Sequence, residues 1–129
     1  MGKILLKNIL HNDVPSDVEI AKGAITRICP AGSVQPDGDV EIMDCTGKAV
    51  IPGFVNMHTH AAMSMMRGIG EDIAFHEWLD RIWQIEEKID EEYVYHATKA
   101  ACLEMIKTGT TTFNDQYWHM PMAYKAAME

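Results

Sequence analysis

The order of secondary structure is decided by residues 47–60, which read GKAVIPGFVNMHTH. Residues 49–57 are almost continuously apolar, as is typical of a strand buried on both faces, and Pro52 and Gly53 interrupt only its beginning. His58 and His60 follow at the carboxyl end of this predicted strand. The stretch therefore predicts a central strand that ends in two imidazoles.

Residues 1–50, which precede this strand, are predicted to form short strands joined by turns. The strands are expected at 4–9, 18–21, 24–28 and 40–44. Lys22 and Gly23 separate two of them and form a two-residue hairpin signal. Residues 31–39 are rich in Gly, Pro, Ser and Asp and are expected to form a loop.

The residues that follow the central strand have a helical period. An apolar stripe predicts a helix over residues 74–89. A second helix is expected from an N-cap at Asp90 to about Lys107, with Gly109 at its end. Residues 110–114 predict another strand, and a further helix begins near Pro121. The order strand, helix, strand is that of a βαβ unit, so the predicted class is α/β with a parallel sheet.

A parallel sheet of two strands cannot bury both of its faces, and a closed (β/α)8 barrel needs at least about 200 residues. The chain has 129 residues. It is therefore either a small open α/β domain or a piece of a larger protein. Apolar helix stripes without partners favour the second reading.

Charge and cysteine content bear on the partners and the compartment. Acidic residues outnumber basic ones, 19 to 11, for a net charge of −8. This argues against nucleic acid and anionic membrane as partners, because both need clustered Lys and Arg. The N-terminus does not resemble a signal peptide, and the apolar runs are too short for a membrane span. Three widely spaced cysteines outside any CxxC pair suit a reducing compartment, so we expect a cytoplasmic protein.

His58 and His60 are the first candidates for chemistry. Residues i and i+2 of a strand point to the same face, so the two imidazoles are expected to converge. Two neutral imidazoles form half of a site for zinc or iron. The alternative is a pair of surface histidines at a strand end.

Glu86 is the second candidate, because it lies on the apolar stripe of the first predicted helix. A carboxylate that faces a core is costly unless it is paired, whereas Glu87 lies on the polar face. The alternative is a carboxylate at the rim whose head reaches solvent. Trp78 could stack on a purine or fill the core, and His119 could contact substrate or cap a helix.

The chain resembles the amidohydrolase superfamily. Residues 47–60 are similar to that superfamily's first-strand signature. Residues 62–68 (AMSMMRG), 77–79 (EWL), 109–115 (GTTTFND) and 117–119 (YWH) resemble one branch. That branch contains the 5′-methylthioadenosine/S-adenosylhomocysteine deaminases, chlorohydrolases and guanine deaminases.

The resemblance implies a bipartite fold. Residues 1–50 would be the N-terminal part of a small β-sandwich, and residues 51–129 the first strand-helix-strand units of an incomplete (β/α)8 barrel. It also implies one divalent metal, zinc or else iron, held by His58 and His60 together with two further His and one Asp on later strands. Those ligands and the general acid/base Glu lie outside these residues, so no catalytic residue is expected within them.

The implied reaction is hydrolytic deamination of an aminopurine nucleoside, a small-molecule substrate. Glu86 would hold the ribose hydroxyls, with Trp78 and His119 as further substrate contacts, although Gln84 stands where relatives often have Pro. An alternative is hydrolysis of an amide, or of a C–Cl or C–N bond on a triazine-like ring. A third hypothesis is an inert truncated product. The 129 residues alone are expected to be inactive. A homo-oligomer is one of the assembly states that the sequence allows.

Overall fold

The computed structural model describes residues 2–129, which fall into two compact units. One unit reaches to Pro52, and the other runs from Gly53 to Glu129. The first consists of strands and the second of helices and strands, so the class is mixed α/β. None of the helices in residues 2–129 is long and apolar enough to cross a membrane.

The first unit is a four-stranded sheet of β1 (Lys3–His11), β2 (Val14–Ala21), β3 (Ala24–Pro30) and β4 (Val40–Asp44). The strand order is β3-β2-β1-β4; β1 pairs antiparallel with β2 and parallel with β4. The hairpin predicted at Lys22 and Gly23 is confirmed. Both residues have positive φ, 53° and 78°, as a type I′ turn requires.

Asp17 anchors the loop that follows β3. Its carboxylate is fully buried and accepts hydrogen bonds from the backbone N–H groups of Asn8, at 3.2 Å, and Gly32, at 2.9 Å. Lys7 Nζ lies 3.9 Å away. Buried carboxylates are stable only when they are paired in this way, so Asp17 has a structural role in this unit.

The second unit contains β5 (Phe54–Thr59), a 3-10 helix (Ala61–Met66), α1 (Phe75–Glu86), α2 (Glu91–Lys107), β6 (Thr110–Asp115) and α3 (Met120–Met128). Strands β5 and β6 are parallel, as the strand-helix-strand order predicts. Asp90 caps α2 as expected: its Oδ1 accepts a hydrogen bond from Tyr93 N at 2.8 Å. The buried contacts of this unit join the 3-10 helix, α2 and α3 through Ala62, Val94, Ala97 and Ala123.

The predicted central strand is shorter than expected. It was predicted to start at residue 49, but β5 starts at Phe54. Ala49 instead forms a bridge with Leu10, and Val50 N donates to Leu10 O at 2.8 Å, so these residues belong to the first unit. Pro52, which lacks an N–H, separates the two stretches.

The prediction that this strand is buried on both faces is also wrong for the described residues. Phe54 and Met57 are 57% and 69% exposed. The reason is that β6 is the only strand paired with β5 among residues 2–129. The stripe of α1 is likewise covered in part: Ile82 is buried, whereas Phe75 and Trp83 are exposed.

Gly53 brings the start of β5 close to β6. A Cβ atom at this position would overlap the side chain of Thr111. Only a glycine therefore allows the two strands to approach here, which gives a packing reason for the glycine that precedes β5.

Candidate functional site

His58 and His60 lie side by side at the carboxyl end of β5. His58 is within the strand and His60 is the first residue after it. Their ring centroids are 5.0 Å apart, and the ring planes are nearly perpendicular at 86°. The i, i+2 spacing thus brings both imidazoles to one side of the strand, with His58 exposed and His60 half-buried.

The hydrogen bonding of His60 determines which of its nitrogens is free. Its Nδ1 contacts the carbonyl oxygen of Gln116. A carbonyl oxygen can only accept, so Nδ1 carries the proton in this contact, and the lone pair of a neutral ring lies on Nε2. Histidines that bind metals commonly donate their second N–H to a carbonyl in this way. The two side chains therefore fit a divalent transition metal as two of its ligands.

No group of three or more His, Cys, Asp or Glu side chains lies close enough to hold a metal within residues 2–129. Catalytic zinc sites use three protein ligands and water. The pair of imidazoles thus supplies a partial set.

Asp115 fixes the turn that follows His60. It ends β6 and pairs with Thr59 of β5. Its Oδ1 accepts a hydrogen bond from Ala61 N at 2.9 Å, while Oδ2 is buried with no partner among the described residues. Asp115 was not among the candidates selected from the sequence. The available signal was its place at the carboxyl end of the second predicted strand, level with the histidines.

Glu86 lies at the end of α1 and faces the same side as the histidines. A cavity of about 670 Å³ is lined by His58, His60, Trp78 and Glu86, among others. Glu86 is half-buried whereas Glu87 is exposed. Trp118 Nε1 donates to Glu86 Oε2 at 3.5 Å. Four of the five residues selected from the sequence therefore meet at one cavity.

Tyr117 also lines this cavity. Its ring centroid lies 6.3 Å from that of His60, and its hydroxyl is buried without a hydrogen-bond partner in residues 2–129. Burial, and next the carboxylate of Glu86, raise the pKa of Tyr117, so the phenol stays protonated at neutral pH. Tyr117 was not among the site residues selected from the sequence.

His119, the fifth selected residue, lines an adjoining cavity of about 540 Å³ together with Glu86, Glu87 and Trp118. It precedes α3 with a left-handed backbone, φ 51°, and its side chain makes no capping hydrogen bond. His119 therefore occupies the N-cap position of α3 and accepts from Met122 N through its backbone carbonyl, while its imidazole takes no part in capping.

Arg67 forms an ion pair with a carboxylate of α2. Its guanidinium donates to Glu104 Oε2 of α2 at 2.7 Å. This hydrogen bond, and then the charge of Arg67, lower the pKa of Glu104. The ion pair ties the residue after the 3-10 helix to α2 and so supports the segment that follows His60.

Residues 49–128 match the amidohydrolase family. That match covers more than half of the chain and includes both histidines. The chain belongs to the amidohydrolase family.

Relatives of this amidohydrolase are named as deaminases. The 5′-deoxyadenosine deaminase of Methanocaldococcus jannaschii is 41% identical over 129 residues, which is 98% of this chain and 30% of that protein. The 5-methylthioadenosine/S-adenosylhomocysteine deaminase 1 of Archaeoglobus fulgidus is 46% identical over 104 residues, 80% of this chain and 24% of that protein. The chain therefore spans about 30% of the length of such relatives, and the resemblance to this branch is confirmed.

Solved structures of amidohydrolases share the fold. An adenosine deaminase from Xanthomonas campestris, crystallised with bound zinc, matches with a TM-score of 0.81 at 25% identity, over 98% of this chain and 31% of that one. The atrazine chlorohydrolase of Arthrobacter aurescens TC1, complexed with zinc, matches with a TM-score of 0.75 at 20% identity, over 97% of this chain and 33% of that one. The second match shows the fold alone.

Proposed function

We propose that residues 1–129 belong to an enzyme that deaminates an aminopurine nucleoside by hydrolysis at a divalent metal. The observation that carries the proposal is the cavity shared by His58, His60, Trp78 and Glu86. It joins two metal-ligand side chains, an aromatic surface and a carboxylate. The relatives named as 5′-deoxyadenosine and 5-methylthioadenosine/S-adenosylhomocysteine deaminases support the same substrate class.

His58 and His60 would hold the metal, with zinc favoured. Imidazole nitrogen suits zinc, and the similar adenosine deaminase from Xanthomonas campestris was crystallised with it. The metal would supply a Lewis acid that makes water nucleophilic at neutral pH. His60 would bind through Nε2, because its Nδ1 contacts the Gln116 carbonyl. The remaining ligands and the general acid/base would come from outside residues 1–129.

Glu86 would accept hydrogen bonds from the two ribose hydroxyls. A carboxylate has two oxygens and accepts from a pair of adjacent donors without rearrangement. The indole N–H of Trp118 would hold one of those oxygens in place from 3.5 Å. Trp78 would offer its ring to the purine, and His119 would contact the substrate in the adjoining cavity.

The larger architecture is proposed from the exposed apolar surfaces of each unit. In the first unit Ile28 and Met43 share one face of the sheet with Val18 and Leu6 and are 43% and 45% exposed, which suits one half of a small β-sandwich. In the second, the exposed apolar residues of β5 suit the first strand of a (β/α)8 barrel. The proposed domains are 1–50 and 51–129, close to the boundary between the compact units.

A cytoplasmic location is proposed from the three free cysteines. The partner would be a small molecule rather than nucleic acid or a membrane, since the net charge is −8.

The test uses the complete enzyme loaded with zinc. Release of ammonia from 5′-deoxyadenosine and adenosine is measured together with metal content for His58→Ala, His60→Ala and the control His96→Ala, which changes an exposed histidine of α2. The first two variants should lose metal and activity, and the control should keep both. Full metal content and activity in the His58 and His60 variants would contradict the proposal.

A further inference from the structure

Residues 116–118 connect the two ends of the proposed site. They follow β6, and the backbone N–H of Gln116 donates to a carbonyl at the end of β5 at 3.1 Å, which fixes the segment against that strand. The Gln116 carbonyl contacts Nδ1 of His60, and Trp118 Nε1 donates to Oε2 of Glu86 at 3.5 Å. One short segment therefore contacts both the histidine and the carboxylate.

Tyr117, in the middle of this segment, has a ring held by the core and a hydroxyl without a partner. The ring packs against the buried cluster formed by the 3-10 helix, α2 and α3. The hydroxyl oxygen is buried and makes no hydrogen bond with any group in residues 2–129. A buried donor without an acceptor is costly. Since folding gains nothing from this hydroxyl, its role is to be sought in binding.

Glu86 is the carboxylate placed to accept from this hydroxyl. Tyr117 and Glu86 line the same cavity of about 670 Å³ as the two histidines. After burial, the nearby carboxylate of Glu86 raises the pKa of Tyr117 most, and Asp115 has a smaller effect. The phenol therefore keeps its proton at neutral pH and has a hydrogen to donate.

We propose that Tyr117 is a positioning residue for Glu86: its hydroxyl donates to the carboxylate when a nucleoside occupies the cavity and so orients that carboxylate toward the ribose. This inference rests on the proposed function, because it takes Glu86 as the residue that holds the ribose. Tyr117 and Trp118, which are consecutive in the chain, would then hold the carboxylate with two donors. Each carboxylate oxygen accepts more than one hydrogen bond, so acceptor capacity remains for the sugar.

The contribution of the hydroxyl is expected in the bound enzyme and not in folding. A nucleoside in the cavity would shield the carboxylate of Glu86 from water. Hydrogen bonds to a charged group are stronger in such surroundings. The cost of leaving the Tyr117 hydroxyl unpaired would be recovered at the same time, so its removal should weaken binding of the sugar while the fold is unaffected.

The test measures kcat/KM for adenosine and the inhibition constant of adenine with the complete enzyme. Tyr117→Phe removes the hydroxyl and keeps the ring. It should lower kcat/KM for adenosine by about threefold to tenfold, mostly through a higher KM, and change the inhibition constant of adenine by less than about twofold.

Tyr93→Phe is the matched control. The Tyr93 ring packs against the same buried cluster, and its hydroxyl lies 3.5 Å from the carbonyl of Ala62 instead of facing Glu86. This variant should change neither value by more than about twofold. A purely structural role of the Tyr117 hydroxyl would lower Tm and affect the nucleoside and the free base together, which would overturn the inference.

A double-mutant cycle with Glu86→Ala distinguishes positioning from direct contact with the substrate. Alanine removes the acceptor, so in this background Tyr117→Phe should change kcat/KM for adenosine by less than about twofold. An undiminished effect of Tyr117→Phe in the absence of the carboxylate would mean that the hydroxyl contacts the substrate itself, and it would contradict the positioning role.

The outcomes also separate this inference from the proposed function. If adenosine is deaminated and Tyr117→Phe leaves kcat/KM unchanged, the positioning role is wrong and the function stands. If adenosine is not deaminated, the function is wrong, and dissociation constants of adenosine and adenine for the same variants, measured by calorimetry, decide the role of Tyr117. Equal affinity of wild type and Tyr117→Phe for adenosine would then overturn the inference.

Discussion

Replacement of Glu86 by glutamine in the complete enzyme tests the role of this carboxylate in ribose binding. Glutamine keeps the size of the side chain and one acceptor oxygen, but it removes the charge and replaces the second oxygen by a donor. The residue is half-buried at the end of α1, and its Oε2 already accepts from Trp118 Nε1 at 3.5 Å. The change should therefore affect substrate binding more than folding.

The magnitude follows from the two hydroxyl groups that Glu86 would hold. A hydrogen bond to a charged group contributes about 1.5–3 kcal/mol, and a neutral one about 0.5–1.5 kcal/mol. One hydrogen bond would lose its charge and the other would be lost, in a site that is partly open to water. A loss of about 2–3 kcal/mol of binding energy corresponds to a decrease in kcat/KM of roughly 30- to 150-fold, most of it through a higher KM.

The assay compares adenosine with adenine, whose binding is measured by inhibition if it is turned over too slowly. Adenine has no hydroxyls, so its affinity should change by less than about threefold. Asp80→Asn, an exposed change on α1, serves as the control. Equal losses for the nucleoside and the free base would refute the assignment. A large nucleoside-specific loss in Glu87→Gln instead of Glu86→Gln would move it to the neighbouring residue.

Three further changes test the packing around the site. Gly53→Ala should lower the free energy of unfolding, measured by urea denaturation, by about 1–3 kcal/mol, because the new Cβ would overlap Thr111. Adding Thr111→Gly to this variant should recover part of the loss. The hydrogen bond from Arg67 lowers the pKa of Glu104. The stabilisation from this ion pair is therefore complete at neutral pH and is lost as the pH falls through the lowered pKa. The difference in Tm between wild type and Glu104→Gln should accordingly shrink in acid. Tyr117→Phe should leave Tm unchanged or higher, since the hydroxyl is buried without a partner in residues 2–129, and a loss above about 1 kcal/mol would contradict this.

Local features of the fold were predictable because neighbouring residues determine them. The cap at Asp90, the turn at Lys22 and Gly23, and the parallel pairing of β5 with β6 follow from capping chemistry, positive φ and element order. The apolar stripe of α1 also distinguishes Glu86, which is half-buried, from Glu87, which is exposed. Here the periodicity of a single helix carries the information.

Features that depend on the pairing of distant residues were not predictable. Arg67 bonds to Glu104, 37 residues away, because α2 returns alongside the 3-10 helix. The contact of His60 with Gln116 and the bond from Ala61 to Asp115 depend on the register of β5 against β6. The start of β5 depends on Ala49 pairing with Leu10, which no local pattern indicates.

A crystal structure of the complete enzyme with zinc and a bound nucleoside product tests the central claim most directly. We expect one metal within about 2.0–2.1 Å of His60 Nε2 and of a ring nitrogen of His58, with the ribose hydroxyls on Glu86. A metal held without either histidine, or a ribose bound away from Glu86, would contradict it.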